Sequence, residues 1–89
     1  MDKGITAEEY RRFRALLRRM RLEAGLTQVD VAERLDEPQS FVSKYESGER
    51  RLDVIELRRV AEALGTTLVA AVERLVHELE HSPADAEKD

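Results

Sequence analysis

Between Leu26 and Gly48 the chain reads LTQVDVAERLDEPQSFVSKYESG, and this segment narrows the choice of fold more than any other. Thr27 followed three residues later by Asp30 suits a helix start. The hydroxyl can accept from a free backbone N–H, and the carboxylate favours the positive end of the helix. Val31, Ala32 and Leu35 then fall on one inward face. Asp36-Glu37-Pro38 reads as a turn, with Pro38 opening the next helix because its missing N–H would have no partner there. That helix runs to about Glu46, turns Val42 and Tyr45 inward, and stops at Ser47-Gly48. The segment is therefore two short helices joined by a tight turn, the second rich in small polar side chains.

The remaining chain follows the same grammar. Thr6-Ala7-Glu8-Glu9 has the form of a capping box and predicts a first helix starting near Ala7. Its apolar stripe is Tyr10, Phe13, Leu17, Met20 and Ala24, with Leu16 beside it, and Gly25 ends it. Glu49 to Leu52 form a loop. Asp53-Val54-Ile55-Glu56 opens a fourth helix, striped by Leu57, Val60, Ala61 and Leu64 and closed by Gly65. Thr66 or Thr67 caps a fifth, predicted over about 67–81. Pro83 ends the ordered chain, and 83–89 read as a disordered acidic tail. No strand pattern or repeat occurs, so the expectation is an all-α, five-helix single domain over residues 1–82.

Charge is distributed unevenly. The chain carries a net charge of −4, which taken whole argues against nucleic acid. Residues 1–52 nevertheless hold 11 basic and 10 acidic side chains, and residues 53–89 hold 4 and 9. Six arginines (Arg11, Arg12, Arg14, Arg18, Arg19 and Arg21) fall within residues 9–25, against Glu9 and Glu23. A local basic patch can attract phosphate while an acidic remainder keeps the protein soluble. Composition alone favours the alternative, a solvated helix face of mixed charge. There is no cysteine, which excludes disulfides and thiolate metal sites. No apolar run approaches the ~20 residues that span a bilayer, and the N-terminus has no apolar stretch of a secretory signal, so a cytoplasmic location is expected.

On the third helix Gln39, Ser40, Ser43 and Lys44 share one outward strip. These are side chains that can meet base edges: glutamine bonds adenine bidentately, lysine donates to guanine, and serine tolerates several edges. An ordinary polar helix surface would look the same.

The run LRRMRLEAGLTQVDVAERL followed by PQSFVSKYESGERRLDVIELRRVAEALG resembles the Cro/lambda-repressor-like, or Xre-type, helix-turn-helix family over roughly residues 11–66. The matching signals are Gly25-Leu26-Thr27-Gln28, Ala32, Ser43, and Glu46-Ser47-Gly48. Ala32 is small where two helices cross closely. The resemblance implies a transcriptional regulator that binds double-stranded DNA, with Gln39, Ser40, Ser43 and Lys44 facing bases. It implies that Gln28 holds a phosphate, where a helix N-terminus offers free N–H groups to the same anion. Arg18, Ser47, Arg50 and Arg51 are further phosphate candidates, although Glu49 dilutes the charge of that loop. Arg21 is expected to pair with Glu46 and so to tie helix 1 to helix 3. Phe41 either packs on a thymine methyl or against an apolar neighbour, and packing is the favoured reading. Arg11, Arg12 and Arg14 are read as solubilising helix 1.

Helix 5 carries Leu68, Val72, Leu75, Val76 and Leu79 along one wide stripe, with Val69 alongside. The stripe either packs wholly on helices 1 and 4 or is shared with a second chain. A homodimer is expected, because helix-turn-helix repressors place two recognition helices about 34 Å apart, one turn of DNA. The implied function is a repressor or autoregulator at a palindromic operator. An antitoxin or protein-interaction module on the same fold is the alternative, and a toxin or another regulator the partner it would take. His77 and His81 have metal-compatible spacing but no further ligand, and are read as exposed histidines, not a metal site. Nothing calls for a cofactor. With no cysteine nucleophile, no Gly-rich phosphate loop and no histidine near Ser40 or Ser43, the chain is not read as an enzyme.

Overall fold

The computed structural model of the protein describes residues 3–81, with side chains from Ala7 onward. Five helices follow one another: α1 Lys3–Glu23, α2 Gln28–Leu35, α3 Gln39–Ser47, α4 Val54–Ala63 and α5 Leu68–Glu80. Strands are absent among the described residues, so the all-α expectation holds. The predicted tail at 83–89 lies outside them.

Helix boundaries follow side-chain chemistry at three of the four inner starts. Thr27 accepts from the Asp30 N–H at 3.0 Å while the Asp30 carboxylate accepts from the Thr27 N–H at 2.9 Å. Asp53 and Glu56 form the same reciprocal box at 2.7 and 3.0 Å. Thr67, not Thr66, caps α5, accepting from Ala70 N–H at 3.1 Å. Each such cap satisfies a donor the helix cannot satisfy itself and contributes roughly 1 kcal/mol.

Two starts differ from the sequence reading. The backbone of α1 is already helical from Lys3, so Thr6 lies inside the helix. Residues 3–6 contain no proline to stop the helix growing backwards, and a capping-competent threonine is then bypassed. Pro38 precedes the first helical residue of α3 and does not occupy it; its extended backbone (φ −67°, ψ 157°) sets the chain's entry, and no side chain caps this end.

The core is drawn from all five helices. Leu16, Leu17 and Met20 of α1 meet Val31, Ala32 and Leu35 of α2, Val42 and Tyr45 of α3, Val60, Ala61 and Ala63 of α4 with Leu64, and Ala71 of α5. Ala24, placed in the α1 stripe by its spacing, is exposed: α1 ends at Glu23, and the left-handed Gly25 turns the chain just beyond. The α2–α3 pair packs tightly around Ala32, which is 3% exposed. Two arginines bolt α2 to α4: Arg34 donates to the Ala63 carbonyl at 2.8 Å, and Arg59 donates to the Leu35 carbonyl. Between α1 and α5, Arg19 pairs with Glu78 at 2.5 Å and Arg74 with Glu23 at 3.1 Å. The last two bridges are solvent-exposed and mainly set orientation, since pairs of that kind contribute little stability.

A candidate DNA-reading surface on α2 and α3

Val42 and Tyr45 anchor α3 by being fully buried, and that fixes which side of the helix faces out. Gln39, Ser40 and Lys44 are exposed and Ser43 is half-buried on the outward side. Burial of the Tyr45 hydroxyl raises its pKa far above the ordinary phenol range, so it is a neutral anchor. The sequence-predicted strip is therefore continuous. Ser43 turns its hydroxyl back onto the Ser40 carbonyl at 3.4 Å.

Behind the strip runs a polar chain through three helices. Arg21, only 7% exposed, grips Glu46 with Nε at 2.7 Å and Nη2 at 3.0 Å. Its Nη1 donates to the Leu26 carbonyl at 3.0 Å, holding the α1–α2 turn as well. The Glu46 hydrogen bonds, aided by the carboxylate's charge, raise the Arg21 pKa against the opposing effect of partial burial. Gln28 donates to Glu46 Oε1 at 3.0 Å, and Gln39 donates to Gln28 Oε1 at 3.2 Å. The first residue of α3 is thus linked through the first residue of α2 to a buried ion pair. An amide held this way is pre-oriented, so that less entropy is lost when such a group engages a ligand.

The loop after α3 is tied down by side-chain contacts. Arg50 lies 4.5 Å above the Phe41 ring and forks onto Glu56 at 2.7 and 3.1 Å. Arg50 and the Asp53 N–H together pull the Glu56 carboxyl down to a pKa of about 2. Arg51 sits 4.2 Å over the Tyr10 ring, and the Tyr10 hydroxyl reaches the Arg50 carbonyl at 3.5 Å. Of the phosphate candidates, Arg50 is therefore engaged within the chain, Arg51 is stacked but exposed, and Arg18 is exposed. Ser47 is exposed, its hydroxyl donating to the Lys44 carbonyl at 3.2 Å and accepting from Glu49 N–H at 3.4 Å. Phe41 packs: it meets Tyr45 edge-on at 5.7 Å between ring centres.

Sequence reasoning missed Arg14. Read with Arg11 and Arg12 as solubilising α1, it is half-buried, as is Arg12, and its guanidinium lies beside Gly48. A Cβ on Gly48 would stand 2.9 Å from Arg14 Cζ and Nη1. The available signal was its position one heptad before Arg21, on the same face of α1.

The stripe of α5 divides. Ala71 is buried and Leu68, Leu75 and Leu79 are half-buried, Leu75 packing against the core. Val69, Val72 and Val76 remain 67%, 39% and 47% exposed, as do Val54 and Ile55 at 60% and 64%. His77 and His81 stack on each other with ring centres 4.0 Å apart. No group of three metal-ligating side chains occurs among the described residues, and no described helix is long and apolar enough to cross a membrane.

A helix-turn-helix family model matches residues 17–70. An XRE-family like protein from Pseudomonas syringae pv. tomato str. DC3000 has a similar structure, with a TM-score of 0.79 and 44% identity, over 84% of this chain and 92% of that one. The wild-type restriction-modification controller protein C.Esp1396I superposes with a TM-score of 0.76 at 24% identity, over 83% of this chain and 96% of that one. A variant of that controller, with a tyrosine replaced by phenylalanine, gives a TM-score of 0.74 at 28% identity, over 83% and 95%. No curated protein matches the chain. With its α2–α3 unit, its buried Arg21–Glu46 pair and the family match through all but the ends of the described chain, this protein belongs to the XRE-type helix-turn-helix family of DNA-binding transcriptional regulators.

Proposed function

We propose that the protein is a sequence-specific regulator that dimerises through α5 and lays two copies of α3 in successive major grooves of a palindromic operator, where it acts as a repressor or autoregulator. Gln39, Ser40, Ser43 and Lys44 meet base edges. Gln28, Arg18, Ser47 and Arg51 hold the flanking backbone, and Arg50 joins them on giving up Glu56. The observation that carries this reading is the polar chain from Arg21 through Glu46 and Gln28 to Gln39, which fixes the one base-reading amide that starts α3. Support for pairing comes from the three exposed valines of α5, a strip apolar enough to prefer cover over water. One short helix contacts few base pairs, and a second copy raises specificity without new contact types.

Selection of bound fragments from random DNA tests this directly. The expected product is an inverted repeat with half-sites about one helical turn apart. Replacing Gln39, Ser43 and Lys44 by alanine should abolish the preference. Recovery of no enriched sequence, or an unchanged preference in the triple variant, would overturn the reading.

A further inference from the structure

We infer that Arg14, on α1, is a DNA-phosphate contact that closes over the backbone at the C-terminal end of the recognition helix. The inference rests on the proposed docking of α3 in the major groove and extends it to a helix outside the α2–α3 unit. The outward strip of α3 advances from Gln39 and Ser40 to Ser43 and Lys44, and one turn later reaches Ser47 and Gly48. Arg14 lies against Gly48, so it stands at the end of that strip.

The α1 face concerned is Arg14, Arg18 and Arg21, positions spaced four and three apart on one side of the helix. Arg21 is consumed by Glu46. Arg18 is exposed, between the other two. Arg14 is half-buried, and its Nε is shut off from water without an acceptor among the described residues. A guanidinium that has lost part of its hydration and gained no anion is an unfavourable arrangement. An anion arriving at the Nη side of the guanidinium offsets part of that cost through its charge, and the sugar–phosphate walls of the groove, about 12 Å apart, supply one where the helix ends. Arginine suits the task because its planar fork matches phosphate oxygens. Gly48 keeps the approach open: without a side chain it lets the guanidinium lie flat on the recognition helix's last turn.

A phosphate contact and a mere prop for α3 give different results. Binding of the selected operator and of an unrelated duplex of equal length is measured across a salt series, for the wild type and for Arg14→Gln and Arg14→Lys. Arg14→Gln is expected to weaken both duplexes by about ten-fold and to lower the slope of log affinity against log salt by about one. Arg14→Lys should keep the slope. If Arg14→Gln fails to fold, Gly48→Asn serves instead: asparagine tolerates the left-handed backbone, and its Cβ displaces the guanidinium, so the same loss of slope is expected with Arg14 intact. An unchanged slope in the variant overturns the inference, whether affinity is unaltered or only the operator is weakened. Absence of DNA binding by the wild type would instead overturn the docking on which it rests.

Discussion

Arg21 holds Glu46 through two near-parallel bonds of 2.7 and 3.0 Å, and both side chains are more than nine-tenths withdrawn from solvent. One ends the long first helix and the other the recognition helix, so the pair fixes the angle between scaffold and reading surface. Arg21→Ala would leave Glu46 buried with only Gln28 as partner. Unpairing a buried charge costs about 3 kcal/mol or more. Thermal unfolding should therefore show a large drop in Tm. Operator affinity should also fall in Arg21→Ala at temperatures where the variant is folded, because Gln28 and Gln39 lose their shared reference. Unchanged affinity in a folded variant would rule out the positioning role.

Glu56 gives a pH dependence with a definite sign. Its carboxyl sits at about 2 in the folded chain, held down first by Arg50 and then by the Asp53 N–H, against about 4.3 when unfolded. A lowered folded pKa means stability that is complete above the unfolded value and is lost as pH falls from about 4.5 towards 2. Glu56→Gln cannot titrate there. The wild type should be the more stable at pH 6, and the gap in Tm between the two should close as pH approaches 2. A constant gap across that range would count against the assignment.

Gly48 and Gly25 are both left-handed, with φ of 93° and 75°, yet they should not respond equally to alanine. Nothing surrounds the Cβ position of Gly25, whereas at Gly48 Arg14 already occupies it. Gly25→Ala should lose about 1 kcal/mol from backbone strain alone. Gly48→Ala should lose at least as much and additionally displace Arg14. Only the second should change the salt dependence of DNA binding. Equal behaviour of the two in that assay would argue against the contact.

Assembly is best probed at Val72, not at Leu75. Leu75 packs against the core, so changing it confounds folding with association. Val72→Glu alters an exposed position. It should leave the unfolding midpoint nearly unchanged when measured at low protein concentration, where little dimer is present to add stability. It should give a monomer by sedimentation at concentrations where the wild type is dimeric. A wild-type monomer at high concentration would sink the α5 interface.

Much of the fold is legible in the sequence because its determinants are local. The boxes at Thr27–Asp30 and Asp53–Glu56, the stop at Gly48, and the 3/4 spacing of Val31 with Leu35, of Val42 with Tyr45, and of Leu57, Val60 and Leu64 depend on residues a few positions apart. Pairs distant in sequence are harder. Arg21–Glu46 is anticipated only through family resemblance. Arg50–Glu56 is not anticipated, because two exposed arginines in a loop carry no sign of where they lean. Thr6 misleads for the opposite reason: a cap signal is permissive, and a helix able to continue through it does so.

The lean of Arg50 has a bearing on how the protein searches. While its fork rests on Glu56 and its flat face on Phe41, that cation is largely neutralised towards passing duplexes. On the proposed docking, a phosphate must outcompete a carboxylate already in place before it gains the guanidinium, and only a well-seated α3 presents one at the right spot. Random sequence would thus feel a weaker pull than the tally of arginines suggests, and the molecule would let go of wrong sites sooner.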